Sequence, residues 1–572
     1  MVISSAQDRG NRRTDRTGRS NRSHRSHRSR SCTEEGLMNR AKGGPRAGTR
    51  TALAVAVALA AVTPVAFEAA AAQAADAGPA AGPVPAQWTT QDVAPGVQVR
   101  TGTLRNAAAA PSWTVTVKVP STSRLTGAPV DVEVGGADWV RDTTAKLQAA
   151  GYQPRVETVE WPGYADTPHG VMGRRVRIGT FATQAAAQGT ASAVAAAGFH
   201  TAVEWTGYDA EQPADVENIH VAVVDPHTFS GTIAGTHDGN VAQRETTSSV
   251  AAKLGSLVGV NAGFFVTSNA DGVQGTQSGI AAYDGELESM AAGSRAALVV
   301  GDGGRHIRVA DLTSTVTARA GAARYAVQGI NRVPGTVRDC GRPGATPSSL
   351  PWQDVTCHET DDLVLFTPAF GAALPTGAGV QAVLDARGRV VATGARGGSV
   401  PAGGSVLQGI GTAADWLTAH AVPGARVDVD EAVRDTEGRR VPLGPGDSIV
   451  SAAPTLVKDG RVDIDAATEG TVDPQDLSFG YAWANVRQPR TMAGVDARGR
   501  LLLVTVDGRL TGGSEGFTIA EAAAFMRSLG AVQALNLDGG GSTAMAVNGV
   551  LVNRTSDATG ERAVGDTLQV LP

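Results

Sequence analysis

Between residues 113 and 208, hydrophobic and polar positions alternate in short runs that are separated by two Ala-rich stretches. One pattern occurs twice, as VDVEVGGADWVRDTTAKLQAAGYQPRVETVEWPGY and as RRVRIGTFATQAAAQGTASAVAAAGFHTAVEWTGY. Each copy alternates as a strand does, continues with helical spacing to a glycine, Gly151 or Gly198, and then alternates again. The pattern predicts two tandem β-α-β units that form one split βαβ module over residues 113–208.

The larger C-terminal part, residues 215–572, alternates over many more short runs. Segments such as IHVAVVD and LLLVTVDG are typical of strands, and the glycines between such runs are typical of tight turns. We therefore predict an α+β protein in which the split βαβ module is followed by a larger mixed α/β domain with large antiparallel parts. The Ala/Pro/Gly-rich residues 75–112 before the module are predicted to be a disordered or extended linker.

The N-terminal charge pattern indicates export. The chain has 572 residues and a formal net charge of only −5, so it is not a general polyanion binder. Residues 1–37 are basic and of low complexity, and we interpret them as solvated or untranslated, with Met38 as the start. Residues 38–74 resemble a signal peptide that ends near Ala74; a retained membrane anchor is the alternative. We expect a secreted or cell-wall-associated protein that contacts a membrane only through this segment.

Export determines how the cysteines are interpreted. Cys32 precedes the predicted cleavage site, which leaves Cys340 and Cys357 on either side of a Pro/Gly-rich loop. Two cysteines in an exported chain are expected to form a disulfide that closes this loop. A zinc site would need further ligands at a familiar spacing, which the sequence lacks, so no metal and no other cofactor is expected.

The stretch NLDGGGSTAM near the C-terminus carries the strongest chemical signal. Thr518 and Glu521 form a capping box before it, so a helix is predicted to start there and to end near Gly530. The next segment, AVQALNL, is typical of a buried strand that ends at Asp538. Three glycines then leave the main chain open, so that its N–H groups can bind an anion beside the carboxylate.

Two familiar motifs do not account for this loop. A nucleophile elbow needs a later histidine in the chain, but the last histidine is His420. A Walker-type phosphate loop needs a Gly-Lys-Ser/Thr sequence, which does not follow. Two interpretations remain open from the residues alone: a site for a phosphorylated or sugar substrate, and a tight glycine turn capped by Asp538.

Further motifs occur in an order that resembles a known family. They are N-x-G-F-F from Asn261, P-x-L-V from Pro454, R-T-x-x-G from Arg490, D-G-R from Asp507, G-x-T-x-x-E at the predicted helix, and N-L-D-G-G-G-S-T-x-M. Together they cover about residues 255–570 and resemble the phosphodiester glycosidase family. The resemblance implies hydrolysis of the glycosidic C–O bond in sugar-1-phosphodiesters of the N-acetylglucosamine type. A Ser-Ala-Ala sequence stands where the family usually has a glycine pair before the proline.

The resemblance also implies roles for individual residues. Arg490 is the candidate bidentate phosphate clamp, Asp538 the candidate nucleophile or base, and Thr491 a further catalytic candidate. The alternatives are structural: an ion pair for Arg490, backbone contacts for Asn261 and Thr491, and turn capping for the two aspartates. The candidate substrate-binding residues are Asn261, Asp507, Gly539, Gly540, Gly541, Ser542 and Thr543.

Residues 113–208 resemble the SPOR family of peptidoglycan-binding repeats, most clearly in VRIGTFATQAAAQGTASAVAAAGF. The resemblance implies that the sheet face of the module binds peptidoglycan glycan strands; a structural repeat without a ligand is the alternative. We thus predict an exported hydrolase of sugar phosphodiesters in envelope glycans, with no nucleic-acid partner. An ordinary glycoside hydrolase of a wall polysaccharide and a non-enzymatic envelope-binding protein are the alternatives.

Overall fold

Antiparallel β-sheet dominates the structure. The computed structural model describes residues 87–572, so the predicted basic segment 1–37 and the predicted signal peptide 38–74 lie outside the described residues. Within the described part there are six α-helices, none with more than 13 residues. The predicted combination of antiparallel sheets with few helices is confirmed, and the fold is more β-rich than a mixed α/β domain.

An eight-stranded antiparallel sheet, which we call the central sheet, carries most residues that concern function. The predicted strands IHVAVVD and LLLVTVDG are confirmed and are neighbours in it. The second of them is buried along its whole length, since both faces of the sheet are covered. In spatial order the strands are Gln87–Ala94, Val97–Arg105, Val216–Val224, Leu501–Val506, Arg490–Asp496, Ala531–Asn536, Thr455–Lys458 and Arg461–Val462.

The first two strands of the central sheet correct the predicted linker 75–112. Residues 87–105 form a hairpin whose apolar side chains join the core. Their alternating, β-branched sequence favours a strand, although the segment before them is rich in Ala, Pro and Gly. Because the hairpin pairs with Val216–Val224, the module at residues 113–208 is an insertion between two neighbouring strands. The larger unit therefore begins before the module and not at residue 215.

Further sheets pack against one face of the central sheet and extend away from it. A five-stranded sheet and a larger antiparallel sheet share one apolar core with the central sheet, and a second five-stranded sheet packs beyond them. The first is ordered Thr232–Thr236, Thr567–Leu571, Val258–Asn261, Met545–Val547, Val550–Leu551. The larger is ordered Glu286–Ser289, Ala281–Tyr283, Ser448–Ser451, Arg295–Gly301, His306–Ala320, Asp428–Asp435, Arg440–Val441, with Ala323–Val327 paired to its longest strand. The second five-stranded sheet is ordered Gly329–Ile330, Asp362–Phe366, Ser405–Ile410, Val380–Leu384, Val390–Gly394.

The helices are short and cover the outer faces of the sheets. They span Ala137–Ala149, Gln184–Ala196, Thr247–Leu254, Thr412–His420, Tyr481–Ala484 and Ile519–Ser528. The last helix packs on the second face of the central sheet, and its predicted capping box is confirmed. The Thr518 hydroxyl accepts from the N–H of Glu521, whose carboxylate accepts from the N–H of Thr518. The predicted end of this helix and the following buried strand are also confirmed.

The inserted module has a split βαβ topology. Its antiparallel sheet is ordered Pro154–Glu160, Val171–Phe181, Trp113–Val117, Thr201–Trp205, and both of its helices pack on one face. One strand differs from the prediction: VDVEV belongs to a separate hairpin of Val119–Thr122 with Pro129–Val132, and WTVTV takes its place in the sheet. The physical reason is burial, because WTVTV carries no charge whereas VDVEV has two carboxylates.

The sheet face opposite the module's helices is covered by the rest of the protein. Arg175 and Arg177 lie on this face and are almost completely buried. Arg175 pairs with Asp209 at 2.8 Å and donates to the hydroxyl of Tyr481 at 3.0 Å, and Arg177 pairs with Glu204 at 3.1 Å. The surface to which the SPOR resemblance assigns glycan binding is therefore occupied within the chain. Binding of peptidoglycan glycan strands by the module stays a prediction.

The predicted disulfide between Cys340 and Cys357 is confirmed. It closes a loop whose two ends pair as short strands, Thr336–Arg338 with Thr356–His358. Over residues 87–572, no group of three or more His, Cys, Asp and Glu side chains is arranged to hold a metal ion. In the same residues, no helix has both the length and the apolar character needed to cross a membrane.

Loss of this disulfide is expected to destabilise the protein. A loop closed across a separation of 17 residues restricts the unfolded chain, which contributes roughly 3 kcal/mol to stability. The double variant Cys340→Ser/Cys357→Ser should lower the free energy of unfolding by about this amount in a denaturant titration. Reductant should lower the unfolding midpoint of the wild type and leave that of the double variant unchanged. Equal unfolding midpoints for the oxidised wild type and the variant would contradict the expectation.

Candidate active site

The candidate residues converge at one end of the central sheet. Arg490 begins a strand there, and the neighbouring antiparallel strand ends at Asn536. Antiparallel pairing therefore places the loop that starts at Asp538 beside the beginning of the Arg490 strand. The N–H of Gly540 donates to the carbonyl of Pro489 at 2.9 Å and ties the loop to this strand.

Asn261 and Thr491 hold the loop from within the core. The Asn261 amide nitrogen donates to the main-chain carbonyl of Asp538 at 2.6 Å. The Asn261 amide oxygen accepts from the hydroxyl of Thr491 at 2.6 Å and from the N–H of Ala544 at 3.1 Å. Both side chains are completely buried. These contacts favour the structural alternative for both residues, since each positions the loop through protein groups.

The side chain of Arg490 is not arranged as the predicted bidentate clamp. Its Nε donates to the carbonyl of Phe517 at 2.8 Å, its Nη2 donates to the carbonyl of Trp483, and its guanidinium lies 4.7 Å from the centre of the Trp483 ring. Burial lowers the pKa of Arg490 to about 9. Of its three nitrogens, only Nη1 lacks a hydrogen-bond partner among residues 87–572. The clamp prediction is therefore corrected, because two nitrogens already bind main-chain carbonyls.

The glycine loop is a short 3-10 turn in which the N–H groups of Gly539, Gly540, Ser542 and Thr543 are used within the chain. The N–H of Gly539 donates to the carboxylate of Asp538 at 2.9 Å. The N–H groups of Ser542 and Thr543 donate to the carbonyls of Gly539 and Gly540, at 3.2 and 3.3 Å. The predicted nest of successive free N–H groups is thus corrected, because the turn directs these groups into its own hydrogen bonds.

The glycines are required because two arginine side chains lie against the turn. Gly540 has a φ of +62°, and a Cβ there would lie 3.0 Å from Nη2 of Arg509. A Cβ on Gly541 would lie 2.0 Å from Nη2 of Arg562, so the guanidinium would have to leave this position. The absence of side chains therefore admits two cations to the turn, and this replaces the anion nest as the reason for the glycines.

Asp538 is half-buried at the edge of this turn. Burial raises the pKa of its carboxyl group to about 7, and the guanidinium of Arg562 acts in the opposite direction. The negative charge of Asp354, on the disulfide-closed loop, adds to the increase. A carboxyl group that changes its protonation near neutrality is suited to acid–base or nucleophilic chemistry.

Arg509 is the functional candidate that sequence reasoning missed. Burial and the neighbouring Arg562 both lower the pKa of Arg509, and its φ of +58° is rare for a residue with a side chain. In the described part of the chain no carboxylate lies within ion-pair distance of Arg509, whereas Arg562 pairs with Asp557 through two contacts of 2.8 and 3.0 Å. Because Arg509 has no ion-pair partner within residues 87–572, its guanidinium can make charge-assisted hydrogen bonds to an anion.

Asp507, the first residue of the D-G-R motif, supports the turn that carries Arg509. Its carboxylate accepts from the N–H of Arg554 at 3.0 Å, and its carbonyl accepts from the hydroxyl of Ser514 at 2.7 Å. These contacts favour turn capping over substrate binding. The D-G-R motif also contains the missed candidate, Arg509. Its arginine, and not its aspartate, lies against the glycine turn.

Ser542 and Thr543 have free hydroxyl groups in the turn. Both oxygens are buried, and neither has a hydrogen-bond partner within residues 87–572. Buried hydroxyls are normally hydrogen-bonded, so the turn retains polar atoms that a ligand can satisfy. Substrate binding by these two residues stays a prediction.

The part of the chain that contains the glycine turn is similar to a known protein family. The phosphodiester glycosidase family model matches residues 378–571. The matched range contains Asp538, Arg509 and Arg562, whereas Asn261 lies before it.

Curated relatives are matched over short segments. The N-acetylglucosamine-1-phosphodiester alpha-N-acetylglucosaminidase of Mus musculus is 32% identical over 117 residues, 20% of this chain and 22% of that protein. The human protein of the same name is 35% identical over 130 residues, 22% and 24% of the two chains. The SPbeta prophage-derived protein YomE of Bacillus subtilis is 43% identical over 90 residues, 15% and 14% of the two chains. The chain thus spans about a quarter or less of the length of these relatives.

One solved structure is similar over almost the whole chain. A Burkholderia pseudomallei K96243 protein, described as exported, has a TM-score of 0.74 and 33% sequence identity. The alignment covers 88% of this chain and 100% of that chain. The shared architecture therefore extends well beyond residues 378–571.

Proposed function

We propose that the protein is an exported hydrolase that cleaves the glycosidic bond of sugar-1-phosphodiesters, of the N-acetylglucosamine type, in cell-envelope glycans. The observation that carries this proposal is the glycine turn, where a half-buried carboxyl group lies beside two arginines, one of them without a carboxylate partner. The names of the mammalian relatives support the reaction class, and the description of the Burkholderia protein supports export.

In the proposed reaction, one carboxylate and two cations have separate roles. Arg509 and Arg562 neutralise the phosphodiester, whose negative charge increases on the bridging oxygen as the glycosidic bond breaks. The phosphate monoester leaves as a stable anion, so a strong general acid is not needed. Asp538 in its ionised form acts on the anomeric carbon, either directly or through a water molecule, and compensates the positive charge of the sugar.

The proposed function is tested with the purified mature chain and defined substrates. N-acetylglucosamine linked to UDP or to an aryl phosphate should release free sugar together with UDP or the aryl phosphate monoester, respectively. Release of sugar from aryl glycosides without phosphate would instead support an ordinary glycoside hydrolase. Binding without turnover of any compound in both panels would support an envelope-binding protein.

The pH dependence of the reaction is expected to follow Asp538. Its pKa is raised to about 7, and the nucleophile or base must be ionised, so kcat/KM should rise about tenfold per pH unit below 7 and level off above it. The phosphodiester stays a monoanion throughout this range and does not contribute. Initial rates at low substrate between pH 5 and 9 measure the profile. A rate that falls through pH 7 would assign the protonated carboxyl group, a general acid, to Asp538.

A further inference from the structure

Contacts from the inserted module lead to Arg509 along two paths. The first begins at Tyr164, a fully buried residue in a loop of the module. Its hydroxyl donates to the side-chain oxygen of Asn485 at 2.9 Å and lies 3.3 Å from the carbonyl of Ala484. Tyr164 therefore holds the C-terminal end of the short helix Tyr481–Ala484.

Gln488 connects this helix to Arg509. Its side-chain nitrogen donates to the carbonyl of Ala482 at 2.9 Å, and its side-chain oxygen accepts from Nε of Arg509. The amide of Gln488 thus has one end on the helix that the module holds and the other end on the guanidinium. Nη1 and Nη2 of Arg509 remain directed toward the glycine turn.

The second path reaches the turn that follows Arg509. The hydroxyls of Tyr208 and Thr511 are hydrogen-bonded at 3.1 Å. Two further contacts lie close by: the indole N–H of Trp205 donates to the carboxylate of Glu515 at 3.1 Å, and the N–H of Asp215 donates to the same carboxylate at 2.9 Å. The end of the module is therefore attached to both the tip and the base of this turn.

These contacts explain how a strained arginine keeps one position. A left-handed backbone at a residue with a side chain is unfavourable and persists only where the surroundings enforce it. We propose that the inserted module is a brace that holds Arg509 against the glycine turn, with Tyr164, Gln488 and Tyr208 as positioning residues. This inference rests on the proposed function in so far as Arg509 binds the phosphodiester.

The module therefore contributes to catalysis through its contacts with the rest of the chain. Its sheet face is occupied, and the contacts beside that face converge on the residue that binds the phosphate. We expect loss of one contact to raise KM more than it lowers kcat, because a loosely held guanidinium first weakens binding of the phosphodiester.

Kinetics and hydrogen exchange on the full mature chain test the brace. Tyr164→Phe and Tyr208→Phe each remove one hydroxyl, and Tyr152→Phe is the matched control, since Tyr152 packs in the module's own core. The first two variants should raise KM for a phosphodiester about fivefold, with kcat within twofold of wild type. Amide exchange over residues 508–513 should become faster in both, and the control should change neither quantity.

Coupling between variants tests the first path. Gln488→Leu should raise KM as Tyr164→Phe does, and the double variant should be no worse than Gln488→Leu alone, because both act through one contact chain. Gln488→Glu retains an acceptor for Arg509 but cannot donate to the carbonyl of Ala482, so it should not restore the wild-type KM. Additive effects of Tyr164→Phe and Gln488→Leu would overturn the shared path.

Failure of the brace and failure of the proposed function have different signatures. Absence of turnover by the wild type across the phosphodiester panel would overturn the proposed function. Amide hydrogen exchange over residues 508–513 in the tyrosine variants would still test whether the module holds Arg509 in place. Exchange that is unchanged in both Tyr164→Phe and Tyr208→Phe overturns the brace, whether or not the wild type turns over.

Discussion

Asp538→Asn is expected to lower kcat/KM for a sugar-1-phosphodiester about a thousandfold, roughly 4 kcal/mol of transition-state stabilisation. The carboxylate is the group at the glycine turn that can attack or deprotonate, and the amide of asparagine can do neither. The substitution keeps the size of the side chain and an oxygen that can accept the hydrogen bond from the N–H of Gly539. The effect should therefore lie in kcat, with the fold unchanged.

The control for this variant is Asp459→Asn. Asp459 is exposed in a hairpin turn of the central sheet and has a positive φ of 49°, which asparagine also adopts readily. The Asp459→Asn variant removes one carboxylate from the same sheet, away from the glycine turn, and should retain wild-type kinetics. If Asp538→Asn retained more than about a tenth of the wild-type kcat/KM, Asp538 would be a turn-capping residue and the assignment would fail.

Arg509→Gly is expected to lower kcat/KM about a hundredfold, the typical effect of losing one charge-assisted contact to a developing anion. Glycine is the appropriate replacement, because Arg509 has a φ of +58° and glycine accepts this conformation without strain. The variant therefore removes the guanidinium and should not reduce stability through the backbone. Steady-state kinetics and the melting temperature, measured together, separate the two effects.

Two other arginine variants serve as comparisons for Arg509→Gly: Arg498→Ala as the matched control, and Arg490→Met as the variant of the earlier candidate. Arg498→Ala removes an exposed guanidinium at the far end of the Arg490 strand and should leave kinetics unchanged. Arg490→Met should mainly lower stability, because the buried guanidinium holds the carbonyls of Phe517 and Trp483. A larger kinetic loss for Arg490→Met than for Arg509→Gly, at equal stability, would return the phosphate contact to Arg490.

Local signals in the sequence predicted local structure well. The capping box of Thr518 and Glu521, the buried strand after it and the antiparallel runs were all readable, because they depend on residues within about ten positions of each other. The disulfide was also readable, since export leaves Cys340 and Cys357 as the pair. The prediction of a linker is wrong for residues 87–105, because the composition of the segment changes there from Ala/Pro/Gly-rich to strand-forming.

Roles within the motifs depended on packing that local sequence does not contain. Asn261 and Arg490 have the chemistry of ligands, yet the fold directs their polar atoms to main-chain groups. Arg509 became a candidate only when the glycines were seen to accommodate its guanidinium. The insertion of the module between two paired strands was equally hidden, because pairing partners lie more than 100 residues apart in the chain.

The sequence by itself determined the short-range elements, the pair of cysteines and the resemblance to a family, because each follows from neighbouring residues or from the order of motifs. The tertiary structure alone decided which side of each motif faces the glycine turn, which arginine has no carboxylate partner, and which face of the module is occupied. Those properties arise from contacts between distant segments, where burial and competition for hydrogen-bond partners determine the role of a polar side chain.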